Sequence, residues 1–438
     1  MKKLLALLLA LVMVLSFAAC GEGDEEEETS RRRKKDTETT SDTTEEQKET
    51  EDEDEEDVKD EKKSPYTVFE ELDVTVVDND DLCLTFSDFD EEQYGGIVCA
   101  VEGENYSDLA LTVSLQAVAV NGMMTLDYFY LDLEAEEESE TEFTIYDIDD
   151  PEDLTRLSML LRVTDEDYES EYHLIEIYPQ GKKAYKEDQP DRDGEDVLLD
   201  ENGIFAVTQE VVYPKDYPPQ LKYLAFNDSD EVYDLGVDAL AINDFGTGDY
   251  HSNCILPDTS AEESMDLYDL EYLCLLGMDE TITSLMLDVT LDNLDYDTVA
   301  SDLLTIYPEG KSNAAAFVYE PESDDVVVLE TDDFRLLQVL CITDEWNDVT
   351  ITFVVENKSG KALSFTSDDT KINGKDSDSL YFYCNTMEGR DTFSNCYLYE
   401  SGLKEEGITK ITSLEFTLEV WDEDYNDIYE GTVKFDVK

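Results

Sequence analysis

Histidine is almost missing from this chain of 438 residues: His173 and His251 are the only two. Two scattered imidazoles cannot build a His-rich metal centre, and neither belongs to a His-Glu-x-x-His pattern. No Gly-x-Ser-x-Gly elbow and no glycine-rich phosphate loop occurs, so the common signatures of hydrolases and nucleotide enzymes are absent. Basic residues are scarce too. Lys and Arg number 30 against 112 Asp and Glu, a formal net charge of −82. So strong a negative charge repels nucleic acid, which is excluded as a partner of the folded part. Long apolar runs stop after Leu4–Leu15, a run shorter than the ~20 residues a bilayer core requires. Sustained helical periodicity is lacking after it.

The N-terminus carries the densest information. Met1-Lys2-Lys3 is a positive start, Leu4–Leu15 an apolar core, and Phe17-Ala18-Ala19-Cys20 a small-residue end. Together they read as a secretory signal peptide over residues 1–19. With Cys20 directly after Ala18-Ala19, the segment resembles the lipobox of bacterial lipoproteins, although Phe17 stands where leucine is usual. That resemblance implies a diacylglyceryl thioether on Cys20, contact with the membrane through the lipid, and a place on the outer face of the bacterial cell membrane. An ordinary signal peptide with a chance cysteine is the competing reading. Gly21–Ser64 hold 21 acidic and 9 basic residues and a single valine. Such a stretch cannot bury enough apolar surface to offset its chain entropy, so residues 20–64 are expected to form a disordered acidic tether behind the lipidated cysteine. Its basic island, Arg31 to Lys35, would gain roughly 1 kcal/mol per side chain beside an anionic leaflet.

Residues 65–438 still carry 91 acidic against 19 basic residues, yet they are dense in Val, Ile, Leu, Tyr and Phe. Three segments share an order of markers. Asn105-x-Ser107, Asn227-x-Ser229 and Asn357-x-Ser359 are each followed, 16 residues after the asparagine, by Asn121-Gly122, Asn243-Asp244 or Asn373-Gly374. An alternating run comes next, such as Met159-x-Leu161-x-Val163 or Phe416-x-Leu418-x-Val420, then an acidic turn and a last strand. Recurrence at periods of 122 and 130 residues marks an internal repeat. Alternation predicts half-buried strands, and Asn-Gly predicts hairpins because both central residues tolerate positive φ. Asp244 is a poorer residue there and predicts a distorted turn in the middle repeat. Short helical turns are expected at Asp150-Pro151-Glu152 and around Ser401–Gly407.

Seven or eight strands in each stretch of about 110 residues predict an all-β chain of three tandem antiparallel immunoglobulin-like sandwiches. They are placed at residues 65–185, 196–312 and 324–438. The chain resembles tandem Ig-like repeats in exported lipoproteins of Gram-positive, Clostridia-type bacteria, on the Asn-x-Ser turn, the Val-Asn-Gly hairpin and the run ending in an acidic turn. The resemblance spans Val68 to Lys438 and implies architecture and location, since that group is largely uncharacterised. The Cys–Trp–Cys pattern of antibody domains is absent. Seven cysteines remain besides Cys20, and mainly free, buried thiols are expected; Cys83 with Cys99 is the one bridge to test.

Candidate sites are few. The acidic turns, with Asp165 and Asp167, Asp292, and Asp422 and Asp424, could clamp calcium at a sandwich end, because hard cations take several oxygen ligands. A solvated hairpin is the simpler reading of each. Gln189 to Asp196 matches part of a calcium loop around Gly194 but lacks the first acid and the closing Glu, and reads as a solvated linker. Tyr128-Phe129-Tyr130 and Tyr381-Phe382-Tyr383 occupy related positions, so Tyr128, Tyr130, Tyr381 and Tyr383 are candidate ligand contacts; packing between sheets is the alternative. No catalytic residue, cofactor or enzyme activity is expected. The expected role is a lipid-anchored, non-catalytic binding or envelope-scaffold module with basic proteins or glycans as partners, and a solute- or calcium-binding lipoprotein is the alternative.

Overall fold

Alternating apolar residues form strands here because every second side chain reaches the same core. The computed structural model describes residues 64–438, apart from 72, 92–94, 147, 149, 187, 188, 216 and 345. The signal segment, Cys20 and Arg31 to Lys35 lie outside the described residues. The first repeat runs through β1 Thr67–Phe69, β2 Val74–Asp78, β3 Leu82–Glu91, β4 Ile97–Asn105, β5 Leu111–Val120, β6 Met123–Thr125, β7 Tyr130–Leu133, β8 Glu138–Ile145, β9 Leu157–Asp165 and β10 Ser170–Ile177. The second has β11 Val197–Glu201, β12 Ile204–Val212, β13 Gln220–Asn227, β14 Tyr233–Ile242, β15 Phe245–Ile255, β16 Thr259–Asp266, β17 Leu285–Asp292 and β18 Thr298–Ile306. The third has β19 Val326–Glu330, β20 Phe334–Thr343, β21 Val349–Asn357, β22 Leu363–Ile372, β23 Lys375–Asp376, β24 Tyr383–Thr386, β25 Thr392–Leu398, β26 Ser413–Asp422 and β27 Asp427–Asp436. Two short helices, α1 Asp269–Leu275 and α2 Glu400–Glu405, precede β17 and β26, and a 3-10 turn at Pro151–Asp153 takes that place in the first repeat.

Each repeat makes an antiparallel sandwich. One sheet is β2-β3-β4-β8, β11-β12-β13-β16 or β19-β20-β21-β25; the opposing sheet is built on β5-β9-β10, β14-β17-β18 or β22-β26-β27. Leu84, Phe86 and Val101 meet Val113, Met159 and Leu161 in the first core. In the third, Ile351 and Phe353 meet Phe365, Phe416 and Leu418. The chain is therefore all-β and immunoglobulin-like, as its alternation predicts. The described residues of the three sandwiches nonetheless form one compact unit, because neighbouring sandwiches share sheets.

The sharing follows one rule. A strand at the edge of the second sheet of one repeat pairs, in parallel and by a single bridge, with the edge of the first sheet of the next. Met123 of β6 meets Ser260 of β16, and Gly246 of β15 meets Thr392 of β25. Backbone hydrogen bonds reinforce both joints, Ser260 N–H to Gly122 O at 2.9 Å and Gly246 N–H to Asp391 O at 2.8 Å. At the first joint the buried Arg156 pairs with the buried Glu176 at 2.7 Å and donates to Asp258 O at 2.9 Å, while Tyr66 donates to Pro257 O. Ala117, Ala119 and Leu160 close this joint against Val232 and Leu256. At the second, Leu337, Val339, Val354 and Phe393 join the core of the middle sandwich.

The repeated asparagines are clasps, which explains why they recur. Asn105, Asn227 and Asn357 are buried. Each Oδ1 accepts the N–H and hydroxyl of the serine two residues on. Each Nδ2 donates to the carbonyl four residues on, 2.8 Å away, and to the chain about 30 residues later. Asn121, Asn243 and Asn373 sit at φ 53°, 50° and 55° and reach across to the start of the alternating run. Their Oδ1 atoms accept both donors of Thr155, Thr283 and Thr412.

Two expectations need correction. Asp244 does not distort its turn: it takes φ 67°, in the same left-handed region as Gly122 and Gly374. Its carboxylate accepts Arg390 Nε at 2.7 Å across the second joint, a contact glycine could not make. Cys83 and Cys99 are both free and cannot bridge, because Cys99 points into the core from β4 and Cys83 lies between core-facing Leu82 and Leu84 on the outer face of β3. Residues 189–196 form the solvated connection expected, without helix or strand and exposed from Asp191 to Asp196, yet held to the second repeat. Arg192 forks onto Asp228 at 2.6 and 2.7 Å, and Glu195 and Asp196 pair with Thr208. A Cβ on Gly194 would lie 2.3 Å from Val207, so glycine serves close packing there.

Candidate binding surface

Hairpin geometry decides what the acidic turns do. Asp165 Oδ1 accepts the N–H groups of Asp167 and Glu169, and Asp422 Oδ1 those of Asp424 and Asn426. In the middle repeat the same bonds go to Asn293, which accepts from Asp295 and Asp297. Asp292 lies one residue earlier, opposite Asp234 on β14, with Oδ1 buried and unpartnered. The leading Asx residue of each turn thus folds the hairpin and lets a tyrosine, Tyr168, Tyr296 or Tyr425, adopt positive φ. Asp422 also pairs with Lys361 Nζ, and that bond holds its carboxyl far below the usual range. Among the described residues, no group of three or more His, Cys, Asp or Glu is placed to hold one metal ion.

The two aromatic triplets behave alike. Phe129 packs against Phe86 and Phe143, with ring centroids 5.7 and 5.5 Å away; Phe382 packs against Phe353 and Phe416 at 5.0 and 6.1 Å. Strand alternation then turns the flanking tyrosines outward. Tyr128 and Tyr130 are 80% and 56% exposed, Tyr381 and Tyr383 61% and 44%. The rings of Tyr381 and Tyr383 lie parallel, 5° apart with centroids at 6.4 Å. Their hydrogen-bond partners are neutral: Asn385 Nδ2 donates to Tyr383 Oη at 2.7 Å, and Thr366 Oγ1 stands 3.5 Å from Tyr381 Oη.

Beside Tyr381 runs a groove of about 840 Å³ that the sequence did not signal. It exists because β22 bulges between Asp368 and Lys371, with Asp369 at φ 47°. Thr417 and Thr432 line it, with Asp368, Asp369, Asp376 and Asp378 around them. Glu415 is held between Lys371 and Lys434 at 2.7 and 2.8 Å, which pulls its carboxyl down to about 2. A bulge depends on pairing with β26 rather than on local composition, so no local signal marks it.

The middle repeat departs from the pattern. Its counterpart is Tyr250-His251-Ser252, within β15. His251 Nε2 meets Glu263 at 2.8 Å beside the buried Tyr223. Nearby, Asp249 is buried and accepts the Asp269 N–H; burial, then the Asp269 charge, pushes its carboxyl up to about 7. Burial, then Asp288, pushes Asp238 up to about 6.

No family model matches the chain, and no curated protein does. Among solved structures, one from a 1.5-MDa bacterial ice-binding adhesin, described for host cell surface retention, is 9% identical. It covers 78% of this chain and 90% of that one, with a TM-score of 0.15. Red sea bream transglutaminase is 12% identical over 52% of this chain, which spans 31% of the enzyme, with a TM-score of 0.16. Overlaps this poor carry no functional weight.

Proposed function

We propose that this is a lipid-anchored, cell-surface module that works by binding or as an envelope scaffold, without catalysis. The observation that carries the reading is mechanical: three sandwiches are fused by shared sheets into one body, and tyrosine pairs are fixed on its outer faces by core phenylalanines. Rigid fusion suits a protein that holds surfaces at set positions, since side chains mounted on strands keep their geometry without an ordering cost on binding. The anchor comes from the sequence alone, through Cys20 and the apolar run before it. The test is radiolabelled fatty-acid incorporation with protease shaving of whole cells. Label on the wild-type chain, none on Cys20→Ser, and cleavage from outside support the reading. An unlabelled chain, or one protected in intact cells, refutes it.

A further inference from the structure

The two tyrosine pairs share a design that packing alone does not require. A sandwich needs the central phenylalanine; nothing in the core uses the tyrosines on either side. Yet both outer repeats place tyrosine at both flanking positions, and both turn the rings to solvent. The middle repeat, whose equivalent segment lies within β15, has Ser252 in place of the second tyrosine and His251 in place of the phenylalanine. Paired, exposed tyrosines therefore occur in the first and third repeats and not in the second.

We propose that the Tyr381–Tyr383 pair and the groove beside it bind an uncharged polysaccharide, with the Tyr128–Tyr130 pair as a second subsite. The inference deepens the binding-module reading and rests on it. Charge selects the ligand class first. Residues 65–438 carry a net −72, so anionic polymers are repelled before contact. A cationic peptide would also be drawn to Asp368, Asp369, Asp376 and Asp378. But the groups bonded to the tyrosine hydroxyls, the Asn385 amide and the Thr366 hydroxyl, are neutral, and binding through the aspartates would fall with salt. Glu415 already holds two lysines. A sugar chain satisfies the remaining chemistry. Its C–H faces rest on tyrosine rings, and its hydroxyls donate to Asp368, Asp369, Asp376 and Asp378 or exchange hydrogen bonds with Thr417 and Thr432 along the groove. The groove is open to solvent rather than enclosed, which leaves room for a chain to extend past it. Two subsites on one chain add avidity when one polymer or one surface engages both.

Affinity electrophoresis of the full chain through gels holding mixed-linkage β-glucan, arabinoxylan or galactomannan tests this. At least one polymer should retard the protein, with retardation unchanged between about 0.15 M and 0.5 M sodium chloride because no ion pair is involved. Tyr381→Ala with Tyr383→Ala should weaken it about tenfold, the equivalent of about 1.4 kcal/mol. Tyr128→Ala with Tyr130→Ala should weaken it less, the double Tyr→Phe variant of the third repeat should retain it, and Tyr425→Ala should leave it alone. A melting midpoint equal to wild type shows that the exposed substitutions leave the fold intact. Failure of all three polymers, retardation indifferent to Tyr381 and Tyr383, or a preference for polylysine that salt abolishes would each overturn the proposal. None of these outcomes touches surface location, which shaving and fatty-acid labelling read separately.

Discussion

Asn227 shows what a single buried side chain does in this protein. Its amide bonds Glu231 O and Ile255 O and accepts both donors of Ser229, all inside the middle sandwich. Asn227→Ala would strand those groups, each needing a partner away from water, and should cost about 1–3 kcal/mol. Urea unfolding of the variant checks this, and a loss within the error of wild type would refute the clasp. Titration acts at the same scale and in two directions. Asp249 at about 7 and Asp238 at about 6 hold protons in the native state that the unfolded chain releases near pH 4. The native state binds more protons between about pH 4 and 7, so stability falls as pH rises through that window. Glu415, pulled down to about 2 by its lysines, contributes stability that is present above the unfolded value and lost as pH falls toward 2. Melting midpoints should therefore peak near pH 4–5, and Asp249→Asn should flatten the fall on the alkaline side. A midpoint that rises steadily from pH 5 to 8 would contradict both assignments.

At the scale of elements, the joints matter most. Arg156 and Glu176 are both buried, so Arg156→Ala would leave an uncompensated carboxylate and should cost about 3–5 kcal/mol. The Arg390–Asp244 pair is part-exposed and should yield only about 0.2–1 kcal/mol in a double-mutant cycle. Thermal or urea unfolding of these variants tests that ordering, and equal costs at the two joints would refute it. Strands, hairpins and the repeat itself were legible because alternation and Asn-Gly are local signals. The threonines that Asn121, Asn243 and Asn373 clasp were not. They follow at 34, 40 and 39 residues, because a 3-10 turn stands in the first repeat where the others have a helix. The groove leaves no local signal for a similar reason: a bulge is a property of two paired strands, and neither β22 nor β26 carries it alone.

Across the whole molecule, charge is the dominant unspent force. A folded body at −72 strains against its own repulsion, and added salt relieves it. The leading Asx residues of the acidic turns already cap hairpins, and no group of three candidate ligands converges among the described residues. Calcium chloride and sodium chloride at matched ionic strength should therefore raise the melting midpoint equally. A saturable rise with calcium alone would instead assign Asp165, Asp167, Asp292, Asp422 and Asp424 as ligands.

By itself the sequence determined the all-β class, the threefold repeat and the turn at each Asn-Gly. These follow from periodicity and φ preference, which act over a few residues. Only the tertiary structure decided that sandwiches share sheets, that Asp244 and Arg390 meet, that Cys83 and Cys99 face apart, and that a groove opens beside Tyr381. Each depends on which strand lies next to which, a choice made by packing across more than a hundred residues of chain.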